Sequence, residues 1–155
     1  MARAAGPTTQ GVEVVEQAAG RWERSFPPDA GAPRQARVGV EAMLRAADAD
    51  GAAVAAALVV LSELVANAIR HARTEVTVSA RIDGGVLRLE VLDRDTRPPA
   101  LMGIDSDSTS GRGLHIVAGL SRDWGWQTAD ADDGVAGKVV WAEVPLDASE
   151  LFDED

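Results

Sequence analysis

A chain of 155 residues, 46% hydrophobic and 26% charged, fits one globular domain able to bury a single core, which sets aside disordered and fibrous classes. A formal net charge of -10 and a pI near 4.6 oppose non-specific binding to nucleic acid or anionic membrane, because both depend on neutralising phosphate charge. The absence of cysteine removes disulfides, thiolate nucleophiles and zinc–thiolate sites.

Met1 to about Gly11 is small and polar and reads as a flexible arm, without the charged-then-apolar layout of a signal peptide. The folded domain is expected over residues 12–146. RWERSF, Arg21 to Phe26, alternates as a strand does, and PPDAG stops it. Asp29 or a neighbour then caps a helix through about Ala47, with Val38, Met43 and Leu44 among its apolar positions. DADG breaks the chain before a longer helix, about Ala52 to Ala72. Its most apolar run, Ala52 to Leu61, is too short to span a bilayer, so no membrane segment is expected and a cytoplasmic protein is the simple reading. EVTVSARI and VLRLEVL alternate on either side of DGG, the signal of a hairpin. Asp93 to Ser110 turns polar and reads as a loop, after which Gly111 opens a helix to about Ser121. Trp124–Thr128 and Lys138–Val144 read as two further strands, and residues 147–155 as an acidic tail. The sum is an α+β fold, a two-layer α/β sandwich with helices on one face of a mostly antiparallel sheet.

One stretch of the long helix, LSELVANAIRHA, sets Glu63, Asn67 and His71 four residues apart. At about 100° per residue the three share a sector, while Leu58, Leu61, Val65, Ala68, Ile69 and Ala72 gather opposite. A solvated polar face accounts for such a stripe, except that asparagine is a poor helix-interior residue because its amide competes for backbone bonds. Downstream, Asp93 ends a strand, and Gly111 and Gly113 stand at a helix start, where backbone amides can cradle a phosphate. The lysine-serine/threonine ending of a P-loop is missing, and no dinucleotide fingerprint follows a first strand.

In this order the segments resemble the GHKL (Bergerat-fold) ATP-binding domain, and more narrowly the stand-alone anti-sigma-factor serine/threonine kinases of actinobacterial type. SELVANAIRHA matches the N box, with Glu63 and Asn67 at its hallmark positions; VLDRDTRPP matches the G1 box, with Asp93 at the aspartate. SGRGLHIVAGLSRDWGW matches the G2 box and GKVVWAEVP the closing strand, so the likeness covers about Arg21 to Pro145.

The resemblance implies ATP and Mg²⁺ as cofactors. Asp93 would accept a hydrogen bond from the adenine amine, and Asn67 would offer its side-chain oxygen to Mg²⁺. Glu63 would act as general base toward a hydroxyl. Gly111, Arg112, Gly113 and Leu114 would form the phosphate-binding segment. His71 reads as a structural residue facing the helix C-terminal dipole. Lys138, the single lysine, reads either as a nucleotide contact or as a surface lysine at a strand end. Trp124, Trp126 and Trp141 read as packing groups.

The likeness weakens in two places. Asp95 stands where the wider family carries a glycine, adding like charge beside Asp93, and Val139 or Val140 replaces polar residues near the base. The implied function is a kinase that phosphorylates an anti-anti-sigma (STAS-type) partner and sequesters a sigma factor, with homodimerisation usual among such kinases. The alternatives are a catalytically weak nucleotide-binding interaction module and, less favoured, an ATPase subunit of a larger assembly. Nucleic acid and membrane are not expected partners.

Overall fold

The computed structural model describes residues 16–99, 109–130 and 136–147. The arm expected over residues 1–11 and nearly all of the acidic tail lie outside the described residues. In chain order the elements are β1 (Glu16–Ala18), β2 (Arg21–Phe26), α1 (Ala32–Ala46), α2 (Gly51–Ala72), β3 (Val76–Asp83), β4 (Val86–Asp93), α3 (Thr109–Leu120), β5 (Asp123–Asp130) and β6 (Ala136–Pro145). The strands form one sheet in the order β1-β2-β3-β4-β6-β5, every pairing antiparallel, with the helices against one face. The α+β sandwich expected from the alternation patterns is therefore the fold, and β1 is a short edge strand beyond that expectation.

Alternation explains why the sheet has two unlike faces. On β4, Leu87, Leu89 and Val91 are fully buried, while Arg88 and Glu90 point to the other side. There Arg88 bonds Glu90 and Glu143, each at 2.9 Å, and its guanidinium stacks 4.3 Å from the ring centre of Trp141. Trp124 and Trp126, by contrast, pack against the core. The DGG signal becomes a two-residue hairpin in which Gly84 and Gly85 take φ of +60° and +80°, the left-handed values such a turn requires.

Helix α1 buries Ala32, Ala36, Val40, Met43 and Leu44 at helical spacing, and Asp29 accepts a bond from the Gly31 N–H at 2.8 Å just before it. Val38, one of its apolar positions, is 63% exposed. It lies two residues from Val40, a turn of roughly 200°, so both cannot face the sheet. Gly39 lets α1 lie on Trp22, since a Cβ there would sit 2.4 Å from the indole.

Helix α2 is the spine of the helical layer. It touches α1, α3, β3, β4 and β6 and buries ten residues from Ala53 to Ala68. Its full 22 residues are long and apolar enough to cross a bilayer by length and composition, which the shorter run Ala52–Leu61 did not suggest. That apolarity is accounted for by the core: 56% of its most apolar window is buried within the fold.

Replacing Gly39 by alanine is expected to cost about 1–3 kcal/mol by overpacking against Trp22. The cost should shrink in the Gly39→Ala/Trp22→Leu double variant relative to the sum of the singles. Denaturant unfolding of the four proteins checks this, and additive effects would show that the indole does not set the helix–sheet distance.

Candidate functional site

The site forms where the last turns of α2 meet the end of β4 and the start of β6. The crossing is close because residue 137 is glycine: a Cβ there would lie 2.0 Å from the Asp93 carbonyl oxygen. In that register Asp93 stands directly opposite Lys138. Both are sealed, with side chains 0% and 4% exposed. The Lys138 ammonium donates to Asp93 Oδ1 at 3.1 Å, to Asp93 Oδ2 at 3.0 Å and to the Asp95 carbonyl at 3.3 Å, so all three of its protons have acceptors. Asp93 Oδ1 also accepts the Asp95 N–H at 2.8 Å. The reading of Lys138 as a surface lysine is thus overturned: strand pairing with Asp93 draws it inward.

Asp95 was expected to add like charge beside Asp93, but its carboxylate is held by another group. Arg97 donates from Nε to both Asp95 oxygens at 3.0 Å, and the Arg97 N–H adds a bond of 2.9 Å. These bonds hold the Asp95 carboxyl well below the usual carboxylate range, against the opposing effect of burial. Arg97 also donates to the carbonyl of His71 at 3.3 Å, which ties the β4–α3 loop to the end of α2.

On α2, Glu63 is half-buried and Asn67 is buried at 5% exposure. Among the described residues the Asn67 Oδ1 has no hydrogen-bond partner, a costly state for a buried carbonyl oxygen. The stripe is therefore not a solvated face at Asn67. His71, one turn on, is half-buried, and its Nε2 also finds no partner among the described residues. Burial lowers its pKa first, with Arg70, Lys138 and Arg97 adding in the same direction. His71 lies in the last turn of α2, as expected, and these effects oppose the preference of the helix C-terminus for a charged imidazolium. Helix α2 ends at Arg73 in the left-handed conformation, φ 56°, with its N–H on the Ile69 carbonyl at 3.2 Å.

Beside this cluster lies an open cleft of about 450 Å³ lined by Arg70, His71, Ala72, Arg73, Asp95, Arg97, Pro98 and Lys138. Its lining carries four cations and one carboxylate, although the whole chain is at -10. Such local charge favours an anionic ligand such as a polyphosphate. Sequence reasoning passed over Arg70, Arg73 and Arg97; only their nearness to Asn67 and Asp93 in the chain pointed to them.

The glycine segment sits slightly differently from the expectation. α3 starts at Thr109, so Gly111 lies in the first turn, among the four amides that lack an intrahelical partner. Gly113 is the fifth residue and falls within the helical ladder, because the helix begins two residues earlier than the glycines suggested. The side chains of Arg112 and Leu114 lie outside the described part of the structure. Among the described residues no three His, Asp or Glu side chains gather as a metal site. The orphaned Asn67 oxygen fits a hard cation, which would take its other ligands from phosphate and water. The base-binding role of Asp93 fits less simply, since three of its bonds are already made within the chain.

The model of the histidine kinase-like ATPase domain family matches residues 26–143. No protein with a curated description matches. A chain in the crystal structure of the SiaB–SiaC complex from Pseudomonas aeruginosa superposes with a TM-score of 0.60 at 16% identity, covering 77% of this chain and 89% of that one. The structure of the RsbU and RsbW domains of Rv1364c from Mycobacterium tuberculosis gives a TM-score of 0.56 at 20% identity, covering 80% of this chain and 32% of that one. At these identities the two structures share the fold with this chain.

Two outcomes follow. Asn67→Ala should change stability by less than about 1 kcal/mol, a Tm shift of at most about 4 °C, because relief of the unpaired oxygen offsets lost packing. A larger loss in calorimetry would make Asn67 a structural residue. His71, with a folded pKa below its unfolded 6.5, contributes stability that is present above pH 6.5 and lost as pH falls below it. Between about pH 7.5 and 5.5 the wild type should lose more Tm than His71→Gln. Parallel melting curves would sink this.

Proposed function

This chain belongs to the histidine kinase-like ATPase domain family, and from that we propose that it is an ATP-binding regulatory protein of the anti-sigma-factor kinase type. The observation that carries the reading is the buried, unpaired Asn67 oxygen beside a positively charged cleft, within the matched segment. A buried carbonyl oxygen without a partner in the chain is a position that a bound cation can complete.

In this reading Asn67 holds Mg²⁺ through Oδ1, and the first-turn amides of α3, Gly111 among them, hold phosphate oxygens. Bound Mg²⁺ neutralises charge on the phosphates. Arg112, Gly113 and Leu114 continue the phosphate-binding segment. Arg70 and Arg73 raise the local concentration of an anionic ligand. Glu63, one turn before Asn67, takes the proton from a substrate hydroxyl as the hydroxyl oxygen bonds the terminal phosphorus, the bridging P–O bond breaks and ADP leaves. Asp93 stays the base-recognition group. The phosphorylated partner is an STAS-type anti-anti-sigma protein, and the sequestered one a sigma factor. Support for this comes from the kinase-like family and from the likeness to a SiaB–SiaC complex and to RsbU and RsbW domains. A cytoplasmic location and a homodimer belong to the same reading.

A second reading, a nucleotide-binding interaction module with weak catalysis, is favoured by one observation: Asp93 is already bonded by Lys138 and by the Asp95 amide.

Calorimetric titration with ATP should show Mg²⁺-dependent binding that Asn67→Ala removes. Glu63→Gln should retain binding and lower phosphoryl transfer to an STAS-type protein by about 10²–10⁴-fold. Transfer at the wild-type rate in Glu63→Gln would remove Glu63 from the chemistry, and binding untouched by Asn67→Ala would remove the metal assignment.

A further inference from the structure

We infer that Lys138 is a built-in occupant of the base subsite, a specificity-determining residue that lowers nucleotide affinity until it is displaced from Asp93. The inference rests on the reading of this site as a nucleotide site and deepens it. A carboxylate recognises an amine donor by offering lone pairs, of which it has about four. Here Asp93 spends three on partners within the chain, two on the Lys138 ammonium and one on the Asp95 amide. Its side chain is 0% exposed, so a donor from outside cannot reach the fourth without movement.

The exchange is also unequal. Lys138 supplies a full positive charge to a carboxylate sealed from water, whereas the amine of a base is a neutral donor. Breaking a buried ion pair by taking away one partner leaves the other charge uncompensated, the costly case for such pairs. The lysine is held from two sides, by Asp93 and by the Asp95 carbonyl, and Asp95 is in turn fixed by Arg97. Gly137 locks the register that brings the two charges together, since no other side chain fits against the Asp93 carbonyl. Lys138 also lines the cleft, so its displacement opens a path from the cleft to Asp93.

The test is calorimetric titration with ATP and Mg²⁺ of the wild type, Lys138→Thr and Lys138→Thr/Asp93→Asn, each first shown folded by thermal melting. Threonine clears the space and keeps one hydroxyl donor on the carboxylate. The expected result is at least tenfold tighter binding to Lys138→Thr than to the wild type, with the gain lost in the double variant. Equal or weaker binding to Lys138→Thr, or a gain that survives Asp93→Asn, overturns the inference while the nucleotide reading stands. Binding by none of the folded proteins overturns both. Should Lys138→Thr fail to fold, Lys138→Gln, which keeps an amide donor, takes its place in the same comparison with the same criteria.

Discussion

The burial of α2 is the constraint from which the rest of the molecule follows. One helix must cover the inner face of the sheet and also carry the polar groups of the site. Its first two-thirds meet the core with alanine, valine and leucine, which lets α1 and α3 pack on either flank. Polar side chains appear only from Ser62 onward, in the half that ends at the cleft. Asn67 lies at that boundary: it is as buried as its apolar neighbours, yet it leaves an oxygen without a partner. Natural chains keep such groups where function has a use for them, and stability alone would replace them.

Charge at the site is arranged against the charge of the whole. The chain is strongly acidic, yet the cleft gathers Arg70, Arg73, Arg97 and Lys138. Two of these cations are committed inside the protein, Lys138 to Asp93 and Arg97 to Asp95. The two pairs are linked, because the backbone of Asp95 bonds both Asp93 and Lys138. A change at any one of the four therefore acts on the others, and effects of substitutions there should not add.

Much of the fold was legible in the sequence, because alternation and helical spacing are local signals. Strands β3 and β4 and their glycine turn follow from period-two patterning and a residue pair that tolerates positive φ. The exposure of Val38 was not legible from its residue type, since a β-branched residue in a helix signals nothing about which way it faces; only the spacing of Ala36, Val40 and Leu44 does. The motif residues Glu63, Asn67 and Asp93 were legible through a resemblance, and the structure buries Asn67 and Asp93. What escaped notice was pairing between distant segments. Nothing in GKVV announces that its lysine meets an aspartate 45 residues earlier, for that depends on the register of β4 against β6. The lowered pKa of His71 was hidden for a related reason, as two of the cations that contribute to it, Lys138 and Arg97, stand on other segments.

The sealing of Lys138 also bears on how the protein can be modified. Of its 15 basic side chains 14 are arginine, and the single lysine is 3% exposed. Acetylation, ubiquitin attachment and other amine-directed chemistry therefore find no accessible side-chain target on the folded chain. The surface basicity is borne by guanidinium groups that such enzymes do not use. Covalent regulation through lysine would have to begin by opening the very ion pair that closes the site.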